Sequence, residues 1–134
     1  MNVKEYLQRA SDLDLTINTK IDSLNTMRSL LTKTTSVITG MPHGGGDGRS
    51  LENAIARIVD LENEINETVD QLVDVKVNIM KMISTLKNPT QRNVMEMRYI
   101  QCKSWDEISR ETGKSRTTLY HIQKAVIDEL EKTF

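Results

Sequence analysis

The 134-residue chain has one cysteine, two prolines, one tryptophan and one phenylalanine, and aromatic side chains make up only 4% of it. A single cysteine, Cys102, excludes any disulfide within the chain and suits a reducing compartment. So few aromatics argue against a β-sandwich or α/β enzyme core. The core must come from Leu, Ile, Val and Met, and the expected class is all-α. No apolar run approaches the roughly 18 residues that span a bilayer. Residues Met1 to Tyr6 contain no apolar h-region of a secretory signal. The expected location is cytoplasmic, with no membrane partner. Net charge is −1, which gives no global attraction to polyanions. It divides as ten basic and twelve acidic residues up to Lys87, and eight basic and seven acidic beyond it. Any nucleic-acid contact must therefore rest on a local patch.

Chemistry-bearing residues are also sparse. His43, His121 and Cys102 lie in three separate segments, and no pair has metal-ligand spacing, so neither a metal nor a cofactor is expected. No small-molecule motif is evident, and an enzyme is not expected. Glu62, Glu64, Glu67, Asp70 and Asp74 read as a solvated helix face, with an acidic protein-contact surface as the alternative.

What the chain has is helical periodicity. Stepping by alternating fours and threes from Val3 meets Leu7, Ala10, Ile17, Ile21, Leu24, Leu31 and Ile38, eight apolar positions in eleven; Asp14, Arg28 and Thr35 are the exceptions. A second series, Leu51, Ile55, Ile58, Ile65, Val69, Leu72, Ile79, Ile83 and Leu86, is apolar at nine of eleven, broken by Glu62 and Lys76. A 3.5-residue period held for about five heptads predicts two helices in coiled-coil packing. Each would run about 36 residues, roughly 54 Å. Thr16, Thr19, Thr26, Thr32, Thr34, Thr35 and Thr39 make the first a weaker helix former, expected to fray or bend after Lys33. Leu15, Leu30, Val37, Val59, Val73, Val77, Met80 and Met82 flank these stripes, and a two-helix hairpin has nothing to bury them against.

The segment Thr39–Ser50 holds five glycines and a proline in twelve residues and breaks any helix. It predicts a hairpin loop that lets the two helices fold back antiparallel, with Ser50 as N-cap of the second. A phosphate-cradling loop is rejected, because no strand precedes it and no Gly-Lys-Ser/Thr follows.

From Asn88 the pattern changes. Asn88 is a natural N-cap with Pro89 at the first helical position, and Val94 and Met97 follow at helical spacing. A break around Lys103 leads into Ser104-Trp105-Asp106-Glu107-Ile108-Ser109-Arg110-Glu111-Thr112-Gly113-Lys114-Ser115-Arg116-Thr117-Thr118-Leu119-Tyr120-His121-Ile122-Gln123-Lys124. Small Ser109 lies four before Gly113, which supplies a φ > 0 turn. Leu119 and Ile122 would lock the second helix inward. Trp105 reads as a packing anchor, and Arg98 and Tyr99 as phosphate contacts, with core packing of Tyr99 as the alternative. No acid occurs between Glu111 and Asp128, while Lys114, Arg116 and Lys124 fall in that gap. A helix with such an outer face suits phosphates and base edges. The candidate DNA-binding residues are Lys114, Ser115, Arg116, Thr117, Thr118, Tyr120, His121 and Lys124. Arg116 is the first choice for bidentate base contact.

In Pro89 to Tyr99, in Trp105 and Ile108, and in Gly113 with the helix after it, the segment 88–132 resembles DNA-binding region four of bacterial sigma factors. Nothing before Asn88 looks like the other sigma regions. The combination, with its Thr39-Gly40-Met41-Pro42 linker, resembles late transcriptional regulators of phages and prophages of the ArpU/RinA type, and that resemblance implies control of phage or prophage transcription. The expected architecture is a helical hairpin over residues 1–87 with a Gly-rich loop at 39–50, followed by a helix-turn-helix domain over 88–134. The expected function is sequence-specific binding of double-stranded DNA as a homodimer joined through the hairpins, with RNA polymerase as a further candidate partner. The alternatives are a small-terminase-like DNA-packaging subunit and a coiled-coil interaction module that binds no DNA.

Overall fold

A computed structural model of the protein describes residues 2–39 and 48–134, side chains excepted at 34–39 and 48. The chain is all-α, with no β-strand among the described residues. Helix α1 spans Val3–Thr39 and α2 spans Gly48–Ser84, 37 residues each. Helix α3, Pro89–Met95, passes into a π-helical turn at Glu96–Ile100. Helices α4, Trp105–Thr112, and α5, Arg116–Thr133, complete the chain. No helix among the described residues is long and apolar enough to cross a membrane.

The chain divides into two compact units, one made of residues 1–14 and 71–134, the other of residues 15–70. In the 15–70 unit, Lys20 pairs with Glu64 at 3.0 Å, and Arg28, eight residues further along α1, pairs with Glu62. The partners run backward along α2, so the two helical segments are antiparallel. Their core is Leu24, Ile58 and Ile65, with Met27, Leu31 and Leu61 packed around it. It is a narrow core. Only one of the two heptad positions is buried, represented by Ile17, Leu24, Ile58 and Ile65, while Ile21, Ile55 and Val69 stay exposed. The sequence pattern predicts both positions inward. Two helices alone offer each other one flank, and here the second seam position has no neighbour on its other side.

In the unit formed by residues 1–14 and 71–134 the stripe is wider. Val3, Leu7 and Ala10 on α1 and Leu72, Val75, Ile79, Met82, Ile83 and Leu86 around α2 are all buried. The Asn78 amide donates to the Tyr6 hydroxyl at 2.9 Å. Additional layers come from α3 to α5, whose Val94, Met95, Ile108, Leu119, Val126 and Leu130 are buried.

Several sequence expectations need correction. Met82 is buried rather than flanking and exposed, because this unit has more helices to pack against it. Leu15, Leu30, Val59, Val73, Val77 and Met80 are exposed as expected, and Val37 lies outside the described side chains. Helix α2 starts at Gly48, so Ser50 is its third residue and not its cap. Helix α1 continues past Lys33 to Thr39, where the threonine run predicts fraying. Before Lys33, Thr26 and Thr32 donate their hydroxyls to the carbonyls of Asp22 and Arg28, both at 3.0 Å, which satisfies them inside the helix. Glu62 and Glu64 are cross-helix ion-pair partners, not purely solvated carboxylates. The loop at 40–47, with His43, lies outside the described residues.

Candidate nucleic-acid interface

The site rests on a support that begins at Asn88. Its side-chain oxygen accepts from the N–H groups of Thr90 and Gln91, at 2.9 and 3.3 Å, which satisfies donors left open at the helix start. Pro89 occupies the first turn, where its missing N–H is harmless. The Arg92 guanidinium reaches back to the Leu86 carbonyl at 2.6 Å.

The π-helical turn then closes with Gln101 N–H donating to Glu96 O at 3.0 Å, one residue wider than an α-helical bond. Cys102 follows at φ 56°, the only non-glycine residue with positive φ among the described residues. It reverses the chain, and Lys103 N–H returns to the Met97 carbonyl at 3.0 Å. Burial pushes the Cys102 thiol above its ordinary pKa of 9.0, a shift that nearby Lys76 opposes.

Arg98 ties this break together. Its Nη1 donates to the Lys103 carbonyl at 3.0 Å, and its guanidinium lies 4.8 Å from the centroid of the Trp105 ring. That is a cation–π contact on a partly desolvated ring. Trp105 packs against the core cluster of Val94, Ile108 and Leu119, beside Met97 and Ile122. It is the packing anchor the sequence suggests. Tyr99 is 4% exposed and its hydroxyl accepts from the Gln123 amide, so it is a core residue and not a phosphate contact. Burial raises its pKa above 10.0.

Helix α4 is capped by Ser104, whose hydroxyl accepts from Glu107 N–H at 3.1 Å. It ends at Gly113, φ 72°, in the left-handed conformation that glycine adopts without penalty. Gly113 N–H donates to the Ser109 carbonyl at 2.9 Å, and the Ser109 hydroxyl donates to the Lys114 carbonyl at 2.6 Å. Ser109 therefore pins both sides of the turn, a role its small size alone does not reveal. Ser115 then caps α5, accepting from Thr118 N–H at 3.2 Å.

Along α5, Leu119, Val126 and Leu130 are buried. On the opposite side, Thr117, Tyr120, His121 and Lys124 fall at i, i+3, i+4 and i+7 and are all exposed. The Tyr120 and His121 rings touch edge to face, with centroids 5.8 Å apart. Arg116 borders this face toward α4, where it pairs with Asp106. Lys114 sits half-buried in the turn. Ser115 and Thr118 lie to the side, their hydroxyls 3.0 Å apart and bonded to each other.

Of the eight residues singled out from sequence, the structure thus groups Arg116, Thr117, Tyr120, His121 and Lys124 on one outer surface, with Lys114 at its edge. Ser115 and Thr118 serve first as the cap. Asp128 is the next acid along α5 and is exposed, which bounds the acid-free stretch. Sequence reasoning missed Asp106, because its relation to Arg116 crosses a turn and follows no helical period. Among the described residues no group of three His, Cys, Asp or Glu could hold a metal.

A family model described as "Protein of unknown function (DUF1492)" matches residues 31–131, three quarters of the chain. No curated protein and no solved structure matches.

Proposed function

This chain belongs to the DUF1492 family, and we propose that it is a sequence-specific double-stranded DNA-binding regulator of transcription. In this reading α4 and α5 form a helix-turn-helix, and α5 enters the major groove. The observation that carries it is the exposed, acid-free face of Thr117, Tyr120, His121 and Lys124, bordered by Arg116 and backed by buried Leu119. Hydroxyl, imidazole and guanidinium groups match base edges, and Lys114 and Lys124 match phosphates. The resemblance to ArpU/RinA-type regulators directs the proposal to phage or prophage genes.

Two chains would pair through their long helices. In the unit of residues 1–14 and 71–134, α2 exposes Val73, Val77 and Met80 at i, i+4 and i+7, a stripe that a second copy could cover. Pairing would also double the number of DNA-contacting helices and raise affinity by avidity.

The test is selection of bound sites from random duplexes with the full chain, followed by Arg116→Ala. The expected loss on a selected site is about 1–3 kcal/mol if Arg116 reads a base. Equal affinity of the two proteins, or no enrichment of any site, overturns the proposal.

A further inference from the structure

Asp106 is the first acid of α4, and Arg116 is the first residue of α5. The Arg116 Nε–H donates to Asp106 Oδ1 at 2.9 Å, and Arg116 Nη2 donates to the same oxygen. Both side chains are two-thirds exposed, and ion pairs in that position contribute little to stability. Nor is Asp106 needed to cap its helix, since Ser104 does that and Glu107 supplies a second acid in the first turn.

What the pair does is geometric. A guanidinium carries five N–H donors in a rigid planar fork. Asp106 takes Nε–H and one Nη2–H, which together form one edge of that fork. The remaining donors, on Nη1 and the other side of Nη2, form the end of the fork. Two parallel N–H groups there match the O6 and N7 acceptors that guanine shows in the major groove. A long, flexible side chain is thereby biased toward one orientation before it meets DNA. The same carboxylate repels phosphate oxygens, which discourages Arg116 from spending its donors on the backbone.

We infer that Asp106 is a positioning residue that acts through Arg116 and confers a preference for guanine at one position of the bound site. This inference rests on the DNA-binding reading above. It predicts that the specificity of α5 depends on a residue of α4 that reads no base of its own.

The experiment measures binding of the full chain to a selected duplex and to its variants at the position contacted by Arg116. Arg116→Ala first identifies that position as the one whose preference it abolishes. Asp106→Ala is then expected to reduce discrimination for guanine there by about tenfold, while affinity for unrelated DNA rises because an acid has been removed. Asp106→Asn, which keeps an accepting oxygen, should retain part of the preference. On an Arg116→Ala background, Asp106→Ala should leave base preference unchanged. An acid that acts only by general repulsion would raise affinity for every duplex equally and leave the guanine ratio untouched. That result overturns the inference while leaving DNA binding intact. A selected base other than guanine at the Arg116 position also overturns it. Failure of the wild-type chain to enrich any site overturns both readings.

Discussion

The backbone N–H of Val3 donates to the carboxylate of Glu131 at 3.0 Å, joining the first turn of α1 to the last turn of α5 across 128 residues of sequence. The first N–H groups of a helix have no partner within it, and a carboxylate there also complements the helix dipole. Asn2 satisfies a neighbouring donor, accepting from Glu5 N–H at 3.1 Å. Both chain ends thus belong to one compact unit. Glu131→Ala should lower the stability of that unit by about 1 kcal/mol, the usual size of a lost cap. Glu131→Gln should lower it less, because its amide oxygen still accepts. Urea denaturation followed by fluorescence of Trp105, the sole tryptophan, measures this directly. Equal stability of Glu131→Ala and wild type would show that the bond carries no weight in solution.

Excision makes the same point at larger scale. A peptide of residues 88–134 keeps α3, α4 and α5 but loses residues 1–14 and 71–87, which share their compact unit. It is expected to melt at a lower temperature than the same helices in the full chain. A matched melting temperature, read from the Trp105 signal in both, would mean that the three C-terminal helices fold without that support.

The turn at Gly113 separates backbone strain from crowding. A Cβ added there meets no heavy atom within 4 Å, so nothing in the surroundings clashes. The penalty for substitution is conformational alone, about 1–2 kcal/mol for a residue forced to φ 72°. Gly113→Ala should show that cost, and Gly113→Asn less, since asparagine tolerates the left-handed region. If Gly113→Ala matched wild type in denaturant, the left-handed turn would not be the native conformation in solution.

Much of this was legible in the sequence, and the limits are instructive. Asn88-Pro89, the break at Lys103 and the turn at Gly113 are local signals, each written within a few residues, and they fall where the structure has them. The heptad stripes predicted both long helices. They could not show that Ile21, Ile55 and Val69 stay exposed while Leu7 and Ile83 are buried, because a stripe records which residues are apolar and not how many neighbours arrive to cover them. Cross-turn and end-to-end relations, Asp106 with Arg116 and Val3 with Glu131, follow no period and could not be read at all. The left-handed backbone at Cys102 was equally hidden, because cysteine carries no turn signature.

That position carries its own prediction. Cys102 holds φ 56° without being glycine, so relief of strain favours Cys102→Gly, while loss of a half-buried side chain opposes it. The conformational term is about 1 kcal/mol or more, larger than what a partly exposed thiol contributes by burial, so Cys102→Gly should be modestly stabilising. Cys102→Val, with a branched side chain in the same conformation, should be clearly destabilising. The thiol should also resist alkylation. Burial favours its protonated form, so the rate should rise only at a pH above that of an unstructured cysteine peptide. Labelling across a pH series, folded and in denaturant, reads the direction of the shift, and a folded-state midpoint below the denatured one would contradict it.

Assembly is the prediction with the widest reach. In the 1–14 and 71–134 unit, Val73, Val77 and Met80 line one exposed strip of α2, and in the 15–70 unit Ile55 and Val59 do the same. Spacings of three and four place each set on a single helix face. Such strips on helices that already use another face for packing resemble the second contact surface of a four-helix bundle. A symmetric pair would set each strip against its own copy, since a two-fold interface uses the same patch on both partners. Sedimentation at micromolar concentration should therefore give about twice the 15.3 kDa chain mass. Replacing Val73 and Val77 together with glutamate should return it to one chain with its helices intact, because both side chains already face solvent in the single chain. DNA affinity should then fall together with its salt dependence, as each chain offers Lys114 and Lys124 to phosphates on the proposed contact surface, while Arg116 is held by Asp106. That corresponds to a slope of about −2 per chain in log affinity against log salt, doubled in a dimer. A chain that sediments as a monomer yet shows the steeper slope would separate DNA binding from pairing and overturn the bundle.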